Sequence, residues 1–172
     1  YRVYVTNRET GQPCVWFFGT TLGGWPVHLA RWLWKIPWHH ARYRWRCDYD
    51  EAAGRYRTFR YRARSGWAAA EVDLQDTGRP ASLVPGFGSV DEMKLILTHP
   101  VDGYFYRTDG KVGTYSVSHP VLELTEGEAV ELSFPLLERL GVLTANEAKR
   151  PHSVLIARDT FFHISMPPKR VR

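Results

Sequence analysis

Two arginines and two histidines are the residues of this sequence best suited to chemistry on an anion. His40 and Arg42 lie in the alternating segment Trp38–Arg46 and share one face of a strand, and Arg31 precedes them on a short helix. His119 ends a later strand pattern. A guanidinium pairs bidentately with a carboxylate, and a histidine exchanges protons near neutral pH. The pattern predicts that Arg31, His40 and Arg42 converge on a small organic anion, with His40 or His119 as the candidate general acid or base.

Tyrosines are predicted to complete this site from a second hairpin. Asp109-Gly110 is a two-residue turn signal, and that turn fixes which side chains of the flanking strands share a face. The predicted shared face carries Tyr104, Tyr106, Tyr115, Val117 and His119. One interpretation is a ligand-binding lining with His119 as its polar tip. The other is an aromatic core edge in which a tyrosine hydroxyl satisfies the histidine.

A hairpin between Arg42–Tyr49 and Arg55–Arg64 is predicted to have an arginine side and an aromatic side. Three interpretations of the arginine side stay open. It is a solvated face paired with surface carboxylates such as Asp48, Glu71 or Asp73, a lining that holds a carboxylate, or a basic surface for nucleic acid. Nucleic acid binding would require aromatic side chains beside the arginines, and here they alternate to the opposite face. This counts against a nucleic-acid-binding module.

Composition and cysteine content limit the remaining classes. The net charge is +5, with 44% hydrophobic and 24% charged residues, which is ordinary for a globular protein. Cys14 and Cys47 fit neither a disulfide framework nor a metal site and suit a reducing cytoplasm. No metal-ligand spacing, phosphate-binding loop or nucleophile elbow occurs, so no metal and no cofactor are predicted. No apolar run is long enough to span a membrane, which predicts no membrane partner.

Alternation in at least six segments predicts a mainly β (α+β) fold, with a largely antiparallel sheet and about three short helices. The first helix follows Pro26 and ends at Pro37, with Leu29, Trp32 and Leu33 expected to face a core. The other helices are expected after the capping box at Ser89, ending at Pro100, and over 133–140. The remaining strand predictions are 1–6, 14–21, 67–74, 122–125, 129–132, 153–158 and 160–166, with a loop over 76–88 and a loose basic tail over 167–172.

Several short motifs in this order resemble the YqjF-like family, a bacterial domain of unknown function. They are RVYV, VWFF, Ala30-Arg31, Pro37, His40-Ala41-Arg42, the segment from Asp91 to Tyr106, and His119-Pro120. The likeness covers most of the chain and predicts a single domain over 1–172. One departure is Pro120-Val121-Leu122-Glu123, where members usually have an aromatic-rich segment. Members also usually begin well upstream, so a β-rich N-terminal part is expected to be absent. An unpaired edge at Tyr1–Thr6 would then favour a homodimer or aggregation.

The family is placed with the acetoacetate decarboxylase-like superfamily, and that placement implies a closed or cone-shaped β-barrel around a small-molecule cavity. Decarboxylases of that group use a Schiff-base lysine that follows a proline, which aligns with the Ile36–Arg42 stretch. Here Pro37 is followed by Trp38-His39-His40, and Lys35 precedes it. The expected function is therefore binding of a small organic anion without Schiff-base decarboxylation. The alternatives are a lyase or hydrolase that uses a histidine beside a substrate-binding arginine, and a basic nucleic-acid-binding module.

Overall fold

The structure is a computed structural model that describes residues 1–99 and 102–171, and it is mainly β, as the alternation predicts. Its helices are α1 (Pro26–Trp34), α2 (Val90–Thr98), α3 (Pro135–Arg139) and α4 (Ala145–Ala148). Its strands are β1 (Arg2–Thr6), β2 (Pro13–Phe17), β3 (Thr20–Leu22), β4 (Trp38–His40), β5 (Arg42–Asp50), β6 (Arg55–Arg64), β7 (Ala69–Pro80), β8 (Asp102–Tyr106), β9 (Val112–Ser118), β10 (Leu124–Ser133), β11 (Leu155–Ala157), β12 (His163–Ile164) and β13 (Lys169–Arg170).

The chain forms two compact units. The first unit contains Tyr1–His40, Gly86–Leu122 and Asp159–Arg172, and the second contains Ala41–Pro85 and Glu123–Arg158. The main sheet of the first unit runs β1-β2-β8-β9-β12, with β13 also on β9. The β2–β8 pair is parallel and its neighbours are antiparallel. β1 is the edge strand and is exposed along its length; pairing of this edge with a second copy stays a prediction.

The core of the first unit lies on one face of this sheet. Phe105, Tyr115 and Ile36 are buried there, and Phe17 and Trp38 pack against them. These side chains come from β8, β9, β2 and the segment around β4, and they occupy one face because alternate residues of a strand point the same way. Aromatic rings from β2, β8 and β9 are thus prominent in this core, where each large ring buries much apolar area.

The hairpin between β8 and β9 differs from the predicted two-residue turn by one register step. Tyr106 pairs with Val112 and Tyr104 with Thr114, because the loop is longer: the Arg107 amide donates to the Lys111 carbonyl oxygen. A one-residue shift moves every side chain of one strand to the other face. The prediction that Tyr115, Val117 and His119 share a face with Tyr104 and Tyr106 is therefore wrong.

Helix α1 turns its largest side chains outward, contrary to the prediction. Leu29, Trp32 and Leu33 are 49%, 69% and 52% exposed, and the buried residues are Val27 and Ala30. The helix packs closely through its small residues, so the stripe predicted to face a core lies outside. Its predicted proline start is confirmed, and it ends at Lys35, which has a left-handed backbone.

The second unit is built on an antiparallel sheet in the order β11-β10-β7-β6-β5, curled into a half-barrel. β7 runs on to Pro80, where a loop was predicted from residue 76, and β10 is one strand where two short ones were predicted. Gly127 lies in the middle of β10. A larger residue would be crowded there, because a Cβ at this position would lie within 3 Å of the Ile156 and Val154 side chains. Buried Asp76 stabilises the longer β7, since its carboxylate accepts from the Tyr56 and Gly78 amides at 2.9 Å.

Other predicted boundaries shift as well. The predicted strand over 14–21 is interrupted and becomes β2 and β3, and the strand over 160–166 reduces to β12. β13 is a strand in a tail that was expected to be loose. Ser89 caps α2 as predicted by accepting from the Glu92 amide, but the Glu92 carboxylate accepts from the Gly88 amide rather than from that of Ser89, so the predicted capping box is only half formed. A complete and unpredicted capping box at Thr144 begins α4. Pro100 and Arg172, which belong to the predicted end of α2 and to the tail, lie outside the described residues.

Candidate functional site

The arginine side of the β5–β6 hairpin is confirmed, and its arginines face one another across the strands. The register pairs Arg42 with Arg64, Arg44 with Arg62, and Arg46 with Arg60. Like charges directly opposite each other on paired strands are destabilising. Three consecutive pairs of this kind concentrate positive charge on one face of an edge strand, at a cost to the stability of the sheet.

These arginines form two columns, an outer one on the edge strand β5 and an inner one on β6. Acidic residues on β7 pair with two arginines of the inner column. Arg60 lies 2.8 Å from the carboxylate of Asp73, and Arg62 lies 3.7 Å from that of Glu71. These are two of the surface partners considered for the arginines from the sequence, and each such pair contributes less than about 1 kcal/mol because its arginine is exposed. Within the described residues, no carboxylate lies within 4.0 Å of the β5 arginines Arg42, Arg44 and Arg46 or of Arg64.

A shallow groove of about 360 Å³ follows this face of the second unit. Its charged lining residues are Arg44, Arg46, Arg60, Arg62, Glu71, Asp73 and Glu131. We call it the arginine groove. It is open to solvent, so interactions in it are screened and individually modest. Its unneutralised arginine column makes it suited to hold an anion by charge-assisted hydrogen bonds.

The aromatic side of the same hairpin lies on the opposite face. Tyr43 stacks on Trp45 with ring centroids 6.4 Å apart and on Tyr61 at 5.8 Å. Trp45 is 72% exposed. Since residues of one strand alternate between faces, these rings are not beside the arginines. Trp45 and Tyr61 also border the arginine groove, but alternation directs their rings away from the arginine face, so a base bound beside the arginines would have none of these rings to stack on.

Arg31 and the histidines of α1 and β4 form a separate cluster in the first unit. The Arg31 guanidinium donates to the Trp38 carbonyl oxygen at 3.2 Å, and the His28 and His40 rings are 5.3 Å apart. His40 is exposed, whereas its neighbour His39 is half-buried. Burial, and secondarily the charge of Arg31, lowers the pKa of His39 to about 4. His39 thus stays neutral as the pH falls toward 4, whereas an unperturbed histidine becomes protonated below about pH 6.5.

His119 is held by backbone oxygens rather than by tyrosines. Its Nε2 lies 2.5 Å from the Thr98 carbonyl oxygen and its Nδ1 lies 2.7 Å from that of Pro120. The ring also stacks on His99, with centroids 4.8 Å apart, and contacts Phe162. Both ring nitrogens face acceptors within the chain, so neither is directed at open space for proton exchange with a substrate.

The tyrosines of the predicted site divide between the two faces of the first-unit sheet. The Tyr104 hydroxyl accepts a hydrogen bond from the side-chain amide of Asn7 at 3.2 Å. The Tyr106 ring packs edge-on against the Trp16 ring, with ring centroids 4.8 Å apart. Tyr115 lies on the opposite, buried face. Burial raises the pKa of Tyr115 to about 12, against the effect of its hydrogen bonds with Trp38 and Thr20.

The structure thus brings Arg31 close to the histidines of β4 and places Tyr104 beside Tyr106. His119 instead contacts His99 and Phe162. Arg42 belongs to the second unit. Ligand binding by the predicted site residues Arg31, His40, Arg42, Tyr104, Tyr106 and His119 stays a prediction. Among the described residues, no group of three or more potential ligands is placed to hold a metal ion. No helix in the described part of the chain has the length and apolar character needed to cross a membrane.

Comparison with known proteins assigns the chain to a family of unknown activity. Residues 1–160 match the model of the DUF2071 family, described as an uncharacterized conserved protein. The chain belongs to this family. No curated protein and no solved structure matches the chain.

Proposed function

We propose that this protein binds a small organic anion and that the arginine groove of the second unit holds it. The observation that supports this is the column Arg42, Arg44 and Arg46, of which Arg44 and Arg46 line the groove. The column lies beside a second arginine column and has no carboxylate within 4.0 Å among the described residues. Arrangements that lower stability are expected at functional sites, where activity and stability are in conflict. A carboxylate or phosphate bound between the two columns would compensate for their repulsion.

The expected affinity is modest. Each solvent-exposed ion pair contributes about 0.2–1 kcal/mol, and a bidentate guanidinium–carboxylate pair is at the upper end. A few such contacts sum to at most about 3 kcal/mol, whereas 1 mM corresponds to about 4 kcal/mol, so the dissociation constant of a simple carboxylate should be about 10 mM or higher. The binding should weaken steeply with salt, because the Debye length falls to about 3 Å at 1 M ionic strength.

Calorimetric titration with succinate tests the proposal, with its uncharged diamide as the matched ligand. We expect succinate alone to bind, and Arg44→Gln and Arg46→Gln each to weaken it several-fold. Arg150→Gln removes the same charge from an exposed position outside the groove and should leave affinity unchanged. Arg31→Gln tests the alternative placement around His40. If succinate binding depends on Arg31 and not on Arg44, the arginine groove is not the site.

For the fold, we propose a barrel of the acetoacetate decarboxylase-like type and the YqjF-like name for the family. The half-barrel of the second unit and the order of the motifs support this. Pro37 is followed directly by Trp38-His39-His40 and not by a lysine, which supports a function without Schiff-base chemistry. Borohydride trapping of a covalent adduct between a β-keto acid and any lysine of this chain would contradict that part of the proposal.

A further inference from the structure

One row of charged side chains in the arginine groove crosses four strands, and the sign of the charge changes in the middle of the row. Successive pairings place Arg46 opposite Arg60, Arg60 opposite Asp73, and Asp73 opposite Glu131. The charges along this row are positive, positive, negative and negative. All four side chains line the groove.

The two inner residues of the row, Arg60 and Asp73, neutralise each other, and the two outer residues, Arg46 and Glu131, have no partner of opposite charge within 4.0 Å among the described residues. Arg60 and Asp73 form the 2.8 Å ion pair. Glu131 is exposed, faces the like charge of Asp73, and has no cationic group within 4.0 Å in the described part of the chain. Arg46 has no carboxylate within that distance either. The ends of the row therefore carry opposite, uncompensated charges within one groove.

The spacing of the strands sets the length of a molecule that could reach both ends. Three inter-strand steps of about 4.8 Å separate the Arg46 and Glu131 backbones by about 14 Å. Both residues line the groove, and their hydrogen bonds to a ligand, each about 2.8 Å long, would take up part of this distance. An extended chain advances about 3.3–3.6 Å per residue, so a molecule of tripeptide length, about 10 Å, fits between the two charged groups.

We propose that the arginine groove recognises a short linear dipolar molecule, with its carboxylate on Arg46 and Arg44 and its ammonium group on Glu131. This rests on the proposed anion binding at the same groove and adds the second charge and the length of the ligand. The Arg60–Asp73 ion pair lies beneath the middle of such a molecule and presents a locally neutral surface to its uncharged centre.

Three matched peptides test the proposal by calorimetric titration of the whole chain at low salt. Triglycine carries both charges, N-acetyltriglycine lacks the ammonium group, and triglycinamide lacks the carboxylate. We expect triglycine to bind about two- to fivefold more tightly than either, which is the range of one exposed ion pair. Glu131→Gln should abolish the preference over N-acetyltriglycine. Arg46→Gln should reduce the preference over triglycinamide, since Arg44 would still contact the carboxylate. Glu123→Gln, which removes an exposed acid outside the groove, should change neither.

The outcomes separate this inference from the proposed function. If triglycine and N-acetyltriglycine bind equally, while succinate still binds in an Arg44-dependent way, the dipolar ligand is refuted and anion binding stands. If succinate and N-acetyltriglycine both fail to bind, anion binding at the groove is refuted as well. An ammonium preference that survives Glu131→Gln refutes the role of Glu131.

Discussion

Replacing Arg42 by glutamate should stabilise this protein, because Arg42 opposes Arg64 and neither has an acidic partner among the described residues. Cross-strand pairs of like charge destabilise by roughly as much as opposite charges stabilise, within about 0.2–1 kcal/mol. Removing the repulsion should contribute about 0.5 kcal/mol and the new ion pair about as much again. The expected order of unfolding free energies is Arg42→Glu, then Arg42→Gln, then the parent chain.

The neighbouring pair supplies the matched comparison. Arg44 opposes Arg62, which already lies 3.7 Å from Glu71. Arg44→Glu should therefore stabilise less than Arg42→Glu, since its partner is partly neutralised. Equilibrium urea unfolding at low salt measures these differences, and about 1 kcal/mol corresponds to about 2–4 °C in Tm for a chain of this size. At 1 M salt the differences should nearly vanish. A parent chain that is the most stable of the set at low salt would refute the claim that the two arginine columns repel each other.

Three further predictions concern buried or strained positions. Asp76→Ala should lower the unfolding free energy by about 1–3 kcal/mol by leaving the Tyr56 amide without its acceptor, as urea unfolding would measure. Gly103→Ala should cost about 1–3 kcal/mol in the same assay, because its Cβ would lie 2.6 Å from the Phe17 ring. His39 has a folded pKa of about 4 against about 6.5 unfolded, so its contribution is complete above pH 6.5 and is lost as the pH falls toward 4. Discounted for its partial exposure, the loss should be about 1–2 kcal/mol, read from unfolding free energy against pH.

Each of these has a control. Asp48→Ala, at an exposed position, should change stability by less than about 0.5 kcal/mol. Gly66→Ala, where a Cβ would meet nothing within 4 Å, should be tolerated. His152→Gln, an exposed histidine, should leave the acid slope unchanged, whereas His39→Gln should flatten it. An unaltered slope in His39→Gln would show that another group causes the acid sensitivity.

Features that depend on neighbouring residues along the chain were predicted well from the sequence, and features that depend on distant contacts were not. The β5–β6 hairpin follows from alternation alone, so its two faces were predicted correctly. The β8–β9 register depended on loop length, which the Asp109-Gly110 signal does not fix, and one step was enough to reverse a face.

Longer-range packing was harder to predict. Helix α1 packs through Val27 and Ala30, and its Trp32 is left outside; hydrophobicity alone cannot distinguish these faces. The groove was missed for a similar reason. Glu131 joins the arginines only through the pairing of β7 with β10, and a pattern read strand by strand does not contain that pairing. The two arginine columns themselves were predicted, because they follow from the alternation of β5 and β6.

Arginine side-chain NMR during a succinate titration tests the central claim most directly. Signals of the Arg44 and Arg46 Nε–H groups should shift in a saturable way, and those of Arg150 should stay in place. If instead the saturable shifts occur at Arg31 and the His40 ring while Arg44 and Arg46 are unaffected, the anion binds in the first unit and the account of the arginine groove is contradicted.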